Sequence, residues 1–348
     1  MAGCEPASYA SKVCAAGNYN CYYSDSVSKN LNTREFYEKS FFEWMEKFSV
    51  KFENGAEFIH RLQVFADNFD MIQSHNRGGA SYTLGINQFA HLTHREFLDE
   101  VRIGGTRIPA TNLRRGAVGA PLHDAVEGEA NPSSVDWVAA GAVTAVKDQG
   151  NCGSCWSFSA TGSLEGAYYI KNQKLESFSE QQLVSCDTTD AGCNGGWMDD
   201  AFAWAKKNNG LCTEASYPYI SGTTGQSGVC KPGCPEVEGS APVSWVDVTP
   251  GSVEALESAV ALTPVSIAIQ ADQSAFQFYE EGVLTGTCGQ SLDHGVLAVG
   301  YGVYTDGTPY WKVKNSWGAS WGMDGYILIE KSSADLCGVL DAASYPKL

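Results

Sequence analysis

From residue 131 to its end, this 348-residue chain contains no arginine and only one histidine, His294. Ten lysines stand there against twenty-four acidic residues, and the whole chain carries a formal charge of −17. A surface so poor in cations has little to offer nucleic acid or an anionic membrane, so neither is expected as a partner. Long hydrophobic runs are missing as well. No stretch approaches the roughly eighteen apolar residues of a membrane span, and residues 1–23 lack the shorter apolar run of a secretory leader. No Asn-x-Ser/Thr acceptor with a permitted middle residue occurs, which leaves N-glycan sorting without a handle.

Cysteine, by contrast, is plentiful. Nine lie beyond residue 131, at positions 152, 155, 186, 193, 212, 230, 234, 288 and 337. Nine cannot all pair, so one thiol stays free, and eight that can pair suit an oxidising compartment. The stretch Gln149-Gly150-Asn151-Cys152-Gly153-Ser154-Cys155-Trp156-Ser157-Phe158 reads as a glycine-bearing turn running into an apolar helix. Trp156, Ala160, Leu164, Ala167 and Tyr168 then recur at steps of four, four, three and one, which is one helix face turned against a core. Cys155 opens that helix beside its unpaired backbone N–H groups, where partial positive charge favours a thiolate. A thiolate attacks carbonyl carbon and a thiol hardly does, so Cys155 is the candidate nucleophile. Any imidazole base in this region has to be His294. A zinc site built from Cys152, Cys155, Cys186 and Cys193 is disfavoured, because their spacing repeats no CxxC knuckle and no second histidine is at hand. A thioredoxin-like motif needs a βαβ setting, which is missing. Neither a metal nor a cofactor is expected.

The segment resembles the active-site stretch of the papain family of cysteine peptidases, whose local signature is Cys-Gly-[Ser/Ala]-Cys-[Trp/Tyr]. Asp293-His294-Gly295 and Asn315-Ser316-Trp317-Gly318 follow in the family's order. Singly, Gln149 is an ordinary surface amide, Asn315-Ser316 a turn, and a lone cysteine usually buried and inert; their joint occurrence in order points to catalysis. The resemblance implies an α+β fold, a helical lobe against a β-barrel lobe, with Cys155 and His294 on opposite walls of the cleft. Cys155 and His294 would form a thiolate–imidazolium pair, Asn315 would fix the imidazole tautomer, and the Gln149 side chain with the Cys155 backbone N–H would bind the oxyanion. Trp317 would shield the His294–Asn315 bond, and Gly153, Gly195, Gly196 and Asp293 would flank the substrate backbone. Trp197, Met198, Ala268, Leu292 and Ala342 would line the pocket for the second residue before the cut. All five are apolar, so Leu, Phe or Val is expected there rather than Arg. No inserted histidine-bearing loop interrupts residues 192–196, so an endopeptidase is expected. By family position Cys152 pairs with Cys193, Cys186 with Cys230 and Cys288 with Cys337, leaving Cys212 and Cys234 to each other.

Upstream, residues from about 35 resemble the family's inhibitory prosegment, of the cathepsin-L-like kind. Glu57, Arg61, Phe65, Asn68, Ile72 and Asn76 match its spaced pattern along a helix expected over 54–76. Gly85-Ile86-Asn87-Gln88-Phe89-Ala90-His91 resembles its second motif, with His91 where the family usually has an acid. A histidine gains charge near pH 6.5, so His91 is expected to help release the prosegment on mild acidification. The chain then divides into an N-terminal extension at 1–30, holding Cys4, Cys14 and Cys21 and without an assigned role; a prosegment at 31–102; a mobile, glycine-rich processing linker at 103–130; and a peptidase domain at 131–348. The mature N-terminus is placed between 120 and 134. Within the peptidase domain, helices are expected after Cys155, from a capping box at Ser179 and Gln182, and over 199–209, followed by strands at 265–270, 295–301, 310–314 and 325–330. Partners implied are protein and peptide substrates, the chain's own prosegment and cystatin-type inhibitors, with the enzyme a monomer in a lysosome-like or vacuole-like acidic compartment, or secreted. A papain-fold ligase or transpeptidase uses the same residues. A non-catalytic binding homologue is the other alternative, though it would be expected to have lost Cys155, His294 or Gln149.

Overall fold

Three apolar clusters organise the chain, and the lines between them define the site. In the computed structural model the described residues are 31–101, 120–125, 130–286 and 288–348. The expectations for the N-terminal extension with its three cysteines, and for most of the linker, lie outside them.

The first cluster belongs to the N-terminal helical region. Helix α1 (Arg34–Phe48) starts at Thr33, whose side chain accepts from the Phe36 N–H, and α2 (Gly55–Arg77) starts at Asn54, which accepts from the Glu57 N–H. Each such cap is worth about 1 kcal/mol. Their facing stripes bury Tyr37, Phe41, Trp44, Leu62, Phe65 and Ile72 together. A short strand β1 (Tyr82–Leu84) and helix α3 (His94–Glu100) carry the chain on to the rest of the molecule.

After β2 (Leu122–His123) and β3 (Val135–Asp136), a helical body follows: α4 (Cys155–Asn172), α5 (Glu180–Cys186), α6 (Met198–Lys207) and the one-turn α7 (Ser221–Thr224). Their apolar faces make the second cluster, around Trp156, Leu164, Phe178, Leu183 and Phe202. Ser179 caps α5 by accepting from the Gln182 N–H, but the reciprocal half of the expected capping box is absent. The Gln182 Oε1 accepts instead from the Cys212 N–H at 2.7 Å, because that buried amide has the greater need of a partner. Disulfides join Cys152 to Cys193, Cys186 to Cys230, Cys212 to Cys234 and Cys288 to Cys337.

The remaining elements are β4 (Ser244–Val248), α8 (Val253–Leu262), β5 (Val265–Ile269), α9 (Ser274–Phe278), β6 (Tyr279–Leu284), β7 (His294–Val303), β8 (Pro309–Lys314), β9 (Tyr326–Glu330) and β10 (Ala343–Lys347). They form one sheet in the order β1-β6-β9-β8-β7-β5-β10-β4-β2, with β3 pairing to β7. Segments that precede residue 131 therefore sit at both ends of the strand order. The third cluster fills this lobe, and Phe89, Leu92, Phe97 and Val101 of the N-terminal region pack into it. The linker departs from expectation: residues 120–125 are docked as the end strand, since β4 offers unpaired backbone groups that β2 satisfies in parallel register, Leu122 opposite Asp247 and His123 opposite Val248.

Between the helical body and the sheet lies a buried charge network. Lys147 Nζ bonds Glu165 at 3.0 Å and Glu180 at 2.6 Å, and Lys314 Nζ bonds the Thr144 hydroxyl at 3.0 Å, which itself donates to Glu165. Burial pulls Lys314 down to about 8, with Glu165 opposing that pull. Lys314 ends β8 directly before Asn315, so the network ties the lobe carrying Asn315 to the helical body.

Candidate active site

Cys155 is the first residue of α4. The turn before it is held by the 152–193 disulfide and by the Gly153 N–H bonding the Cys193 carbonyl at 2.9 Å. Across the gap, β7 begins at His294, and the next residue's N–H, from Gly295, donates to the Cys155 Sγ at 3.3 Å. The helix start of one lobe thus meets the strand start of the other. Among the described residues Cys155 is the free cysteine.

His294 is 2% exposed, and its Nε2 bonds the Asn315 Oδ1 at 2.8 Å. A carbonyl-type oxygen can only accept, so Nε2 carries a proton and Nδ1 of the neutral ring is left with its lone pair. Trp317 stacks over the ring, centroids 4.9 Å apart at 26°, and covers that bond from solvent. Nδ1 itself makes no hydrogen bond. Burial pushes the Cys155 thiol up to about 11, opposed by the Gly295 N–H, and pulls the His294 imidazole down to about 4, opposed by the bond to Asn315. Cys155 keeps part of its surface open, yet the sulfur is surrounded closely enough for desolvation to dominate. Packing of the site thus works against charge on either group, and the charged pair expected from the sequence has to form against that desolvation.

Gln149 is fixed from every side. Its Oε1 accepts from the Ser316 hydroxyl at 2.6 Å, its N–H donates to the Ser316 carbonyl at 2.9 Å, and its carbonyl accepts from the Tyr219 hydroxyl at 2.8 Å. The Nε2 donates to the carbonyls of Cys152 and Val101, each at 3.1 Å. Val101 follows α3, so a carbonyl of the N-terminal region takes the hydrogen bond an oxyanion would need. Tyr219 is the residue that reasoning from sequence missed. Its hydroxyl also meets the Ser154 Oγ at 2.7 Å, bridging the two ends of the turn that carries the nucleophile. Only the fold brings it there, from a loop seventy residues away.

Met198, Ala268, Leu292 and Ala342 share one buried cluster, with Trp197 packed against it. Gly196 lies against the Trp156 ring, where an added Cβ would come within 2.5 Å, and Gly195 has φ +110°, a conformation that suits glycine. Asp293 accepts from the Ala271 N–H at 2.7 Å and lies near enough to Cys155 to oppose its ionisation. Among the described residues no group of three or more His, Cys, Asp or Glu is arranged to hold a metal ion.

The N-terminal region covers this ground. Phe89 and Phe97 meet Trp317 edge-on at 6.2 and 5.4 Å, and the Gln88 Nε2 donates to the Trp317 carbonyl at 2.7 Å. His91 lies in the aromatic cluster behind, its ring 4.8 Å from that of Trp44. Burial, then the Arg61 charge, pull it down to about 4, so it does not gain charge near 6.5 while docked, as the sequence had suggested.

Comparison with known proteins agrees with this geometry. The family model described as papain family cysteine protease matches residues 131–347, and that described as cathepsin propeptide inhibitor domain (I29) matches 41–97. The senescence-specific cysteine protease SAG39 of Oryza sativa subsp. indica is 42% identical over 315 residues, covering 87% of this chain and 88% of that protein. Cathepsin L of Sarcophaga peregrina is 44% identical over 309 residues, covering 85% and 88%. The solved structure of a recombinant stem bromelain precursor superposes with a TM-score of 0.80 at 37% identity, covering 90% of this chain and 99% of that one.

Proposed function

The chain belongs to the papain family of cysteine proteases, and from that premise we propose that Cys155 is its nucleophile, His294 its proton shuttle, Asn315 the shuttle's support and Gln149 an oxyanion donor. It is a papain-like cysteine endopeptidase with an attached propeptide inhibitor domain, a zymogen restrained by its own prosegment. On our reading the prosegment spans 31–102, the processing linker 103–130 and the peptidase domain 131–348.

The observation that carries the assignment is the Gly295 N–H resting on the Cys155 sulfur at 3.3 Å while His294 bonds Asn315. When the prosegment leaves, water returns to the cleft and the desolvation that opposes charge on the pair is relieved. A proton then passes from Sγ to Nδ1, and the thiolate attacks the peptide carbonyl carbon to form the C–S bond. The oxyanion takes the Gln149 Nε2–H that Val101 had occupied. His294 donates its proton to the departing amine as the C–N bond breaks, then draws a proton from water as the thioester is hydrolysed.

The shared apolar cluster of Met198, Ala268, Leu292 and Ala342 supports a preference for Leu, Phe or Val as the second residue before the cut. We further read the enzyme as a monomer, open to cystatin-type inhibitors, and working in an acidic lysosome-like or vacuole-like compartment or after secretion. Among the described residues no helix is long and apolar enough to cross a membrane. The test uses precursor activated by acid and reductant, with dipeptide reporters carrying Leu, Phe or Arg before the same final residue. kcat/KM should favour Leu and Phe by about tenfold or more, and an epoxide thiol inhibitor should abolish cleavage. Equal or better cleavage with Arg would overturn the pocket assignment; activity surviving Cys155→Ala would overturn the nucleophile.

A further inference from the structure

Residues 120–125 lie between the two stretches that the family models match, 41–97 and 131–347, yet they are bound to the peptidase body at specific points. The Asp247 N–H donates to the Pro121 carbonyl at 3.1 Å and the Thr249 N–H to the His123 carbonyl at 3.0 Å. The His123 ring stands between two hydroxyls, the Tyr345 Oη 3.0 Å from Nδ1 and the Ser258 Oγ 3.1 Å from Nε2. It meets the Tyr345 ring nearly edge-on at 5.7 Å, and the Thr249 hydroxyl donates to the Asp124 carboxylate. Leu122, the apolar side chain of this strand, is 61% exposed. Apolar burial therefore does not hold the segment; backbone pairing and one imidazole do.

We propose that the outer edge of β4, with the Ser258 and Tyr345 hydroxyls on its rim, is a second docking site for the pro region, filled by residues 120–125 and independent of the catalytic cleft. Its chemistry selects an extended peptide offering two acceptor carbonyls on alternate residues and an imidazole at the second. The site is at the β4 end of the sheet, whereas the prosegment strand β1 pairs with β6 at the other end. The two contacts share no side chain, so either can open while the other stays closed.

The dock is also acid-sensitive. The groups around His123 are Tyr345 and Lys347 from β10, Ser258 from α8, and Thr249 and its own neighbour Asp124. Both hydroxyls can accept from an imidazolium, so hydrogen bonding does not exclude the charged form. Burial and the Lys347 ammonium do oppose it, outweighing Asp124, and hold the docked imidazole below its ordinary value. A released segment takes up a proton near pH 6.5, so docking weakens as pH falls below that, by up to about tenfold per unit.

The experiment is residue-resolved amide hydrogen exchange on full-length precursor carrying Cys155→Ala, which cannot process itself. At pH 7 the Asp247 and Thr249 amides should be protected, and His123→Ala should speed their exchange about tenfold or more relative to intrinsic rates. The Gly85 and Val283 amides, which bond the Phe278 and Ser81 carbonyls at the β1–β6 edge, should not change. Lowering pH to 5 should speed exchange at Asp247 and Thr249 in the parent and add nothing at those two amides in His123→Ala. A Ser258→Ala, Tyr345→Phe double variant attacks the dock from the other side and should give the same pattern if His123→Ala fails to fold. Unchanged exchange at Asp247 and Thr249 would show that the segment is no dock, and a matching rise at Gly85 and Val283 in His123→Ala at pH 7 would show that it is not independent.

Discussion

His91 shows how burial alters a pH response without removing it. Its ring packs against Trp44, and Arg61, which bonds the His91 carbonyl at 3.3 Å and pairs with Glu96 at 2.9 Å, keeps positive charge close by. The docked imidazole, pulled down to about 4, stays neutral through mild acid, whereas a released prosegment takes up its proton near 6.5. The released state thus binds more protons between those values. Docking is strongest above 6.5 and drains away as pH falls toward about 4, reaching up to about 2 kcal/mol by pH 5. His91→Asp reverses the preference, because a carboxylate beside Arg61 is favoured until it protonates near or below pH 4. The pH midpoint of self-processing should fall by about one unit in that variant, read from the rate of precursor loss on gels across pH 4 to 7; an unchanged midpoint would remove His91 from the mechanism. The position of His91 was legible in the sequence as a departure from the acid its motif usually carries. Its environment was not, because Trp44 and Arg61 reach it only through the packing of α1 and α2.

Among the elements, α3 is short yet much depends on it. A complete capping box starts it: the Thr93 hydroxyl accepts from the Glu96 N–H, and the Glu96 carboxylate accepts from the Thr93 N–H. Seven residues are too few to hold a helix in water, so α3 is stable through what it buries. That is Phe97, which has no exposed surface and lies between Phe89 and Trp317. Phe97→Ala should cost about 3–5 kcal/mol, nearly all of it taken from prosegment docking because the cavity opens at that boundary. Self-processing at pH 6 should accelerate by at least about tenfold while the processed enzyme keeps its kcat/KM; a processing rate equal to the parent's would mean that α3 does not anchor the prosegment. Helices α2 and α4 were readable from the apolar stripe that each carries at helical spacing. Strand β6 was not, since Glu280 and Glu281 sit exposed within it and interrupt the alternation, and β10 carries Pro346, which reads as a strand breaker.

For the whole molecule, acidity is built into the packing as well as the surface. Asp199, 4% exposed on α6, is raised by burial and then by Asp247 of β4. Asp190 is raised by burial and then by Asp187. The folded chain holds protons on these carboxyls that the unfolded chain has released above about pH 4, so their contribution to stability is greatest in acid and declines as pH rises toward neutrality. Against the parent, the Asp199→Asn precursor should gain in thermal midpoint at pH 8 relative to pH 5; the same dependence on pH in the two proteins would place the effect elsewhere. The sequence by itself determined the odd thiol, the sole imidazole of the catalytic part and the order of the motifs, because these are matters of counting and of local pattern. Only the tertiary structure decided that burial opposes charge on the thiol and imidazole, that Tyr219 holds the turn before the nucleophile, that the Gln149 donor is spent on Val101, and that residues 120–125 close the end of the sheet. Each of those depends on dielectric surroundings and on hydrogen-bond partners distant in sequence, which no local pattern of residues specifies.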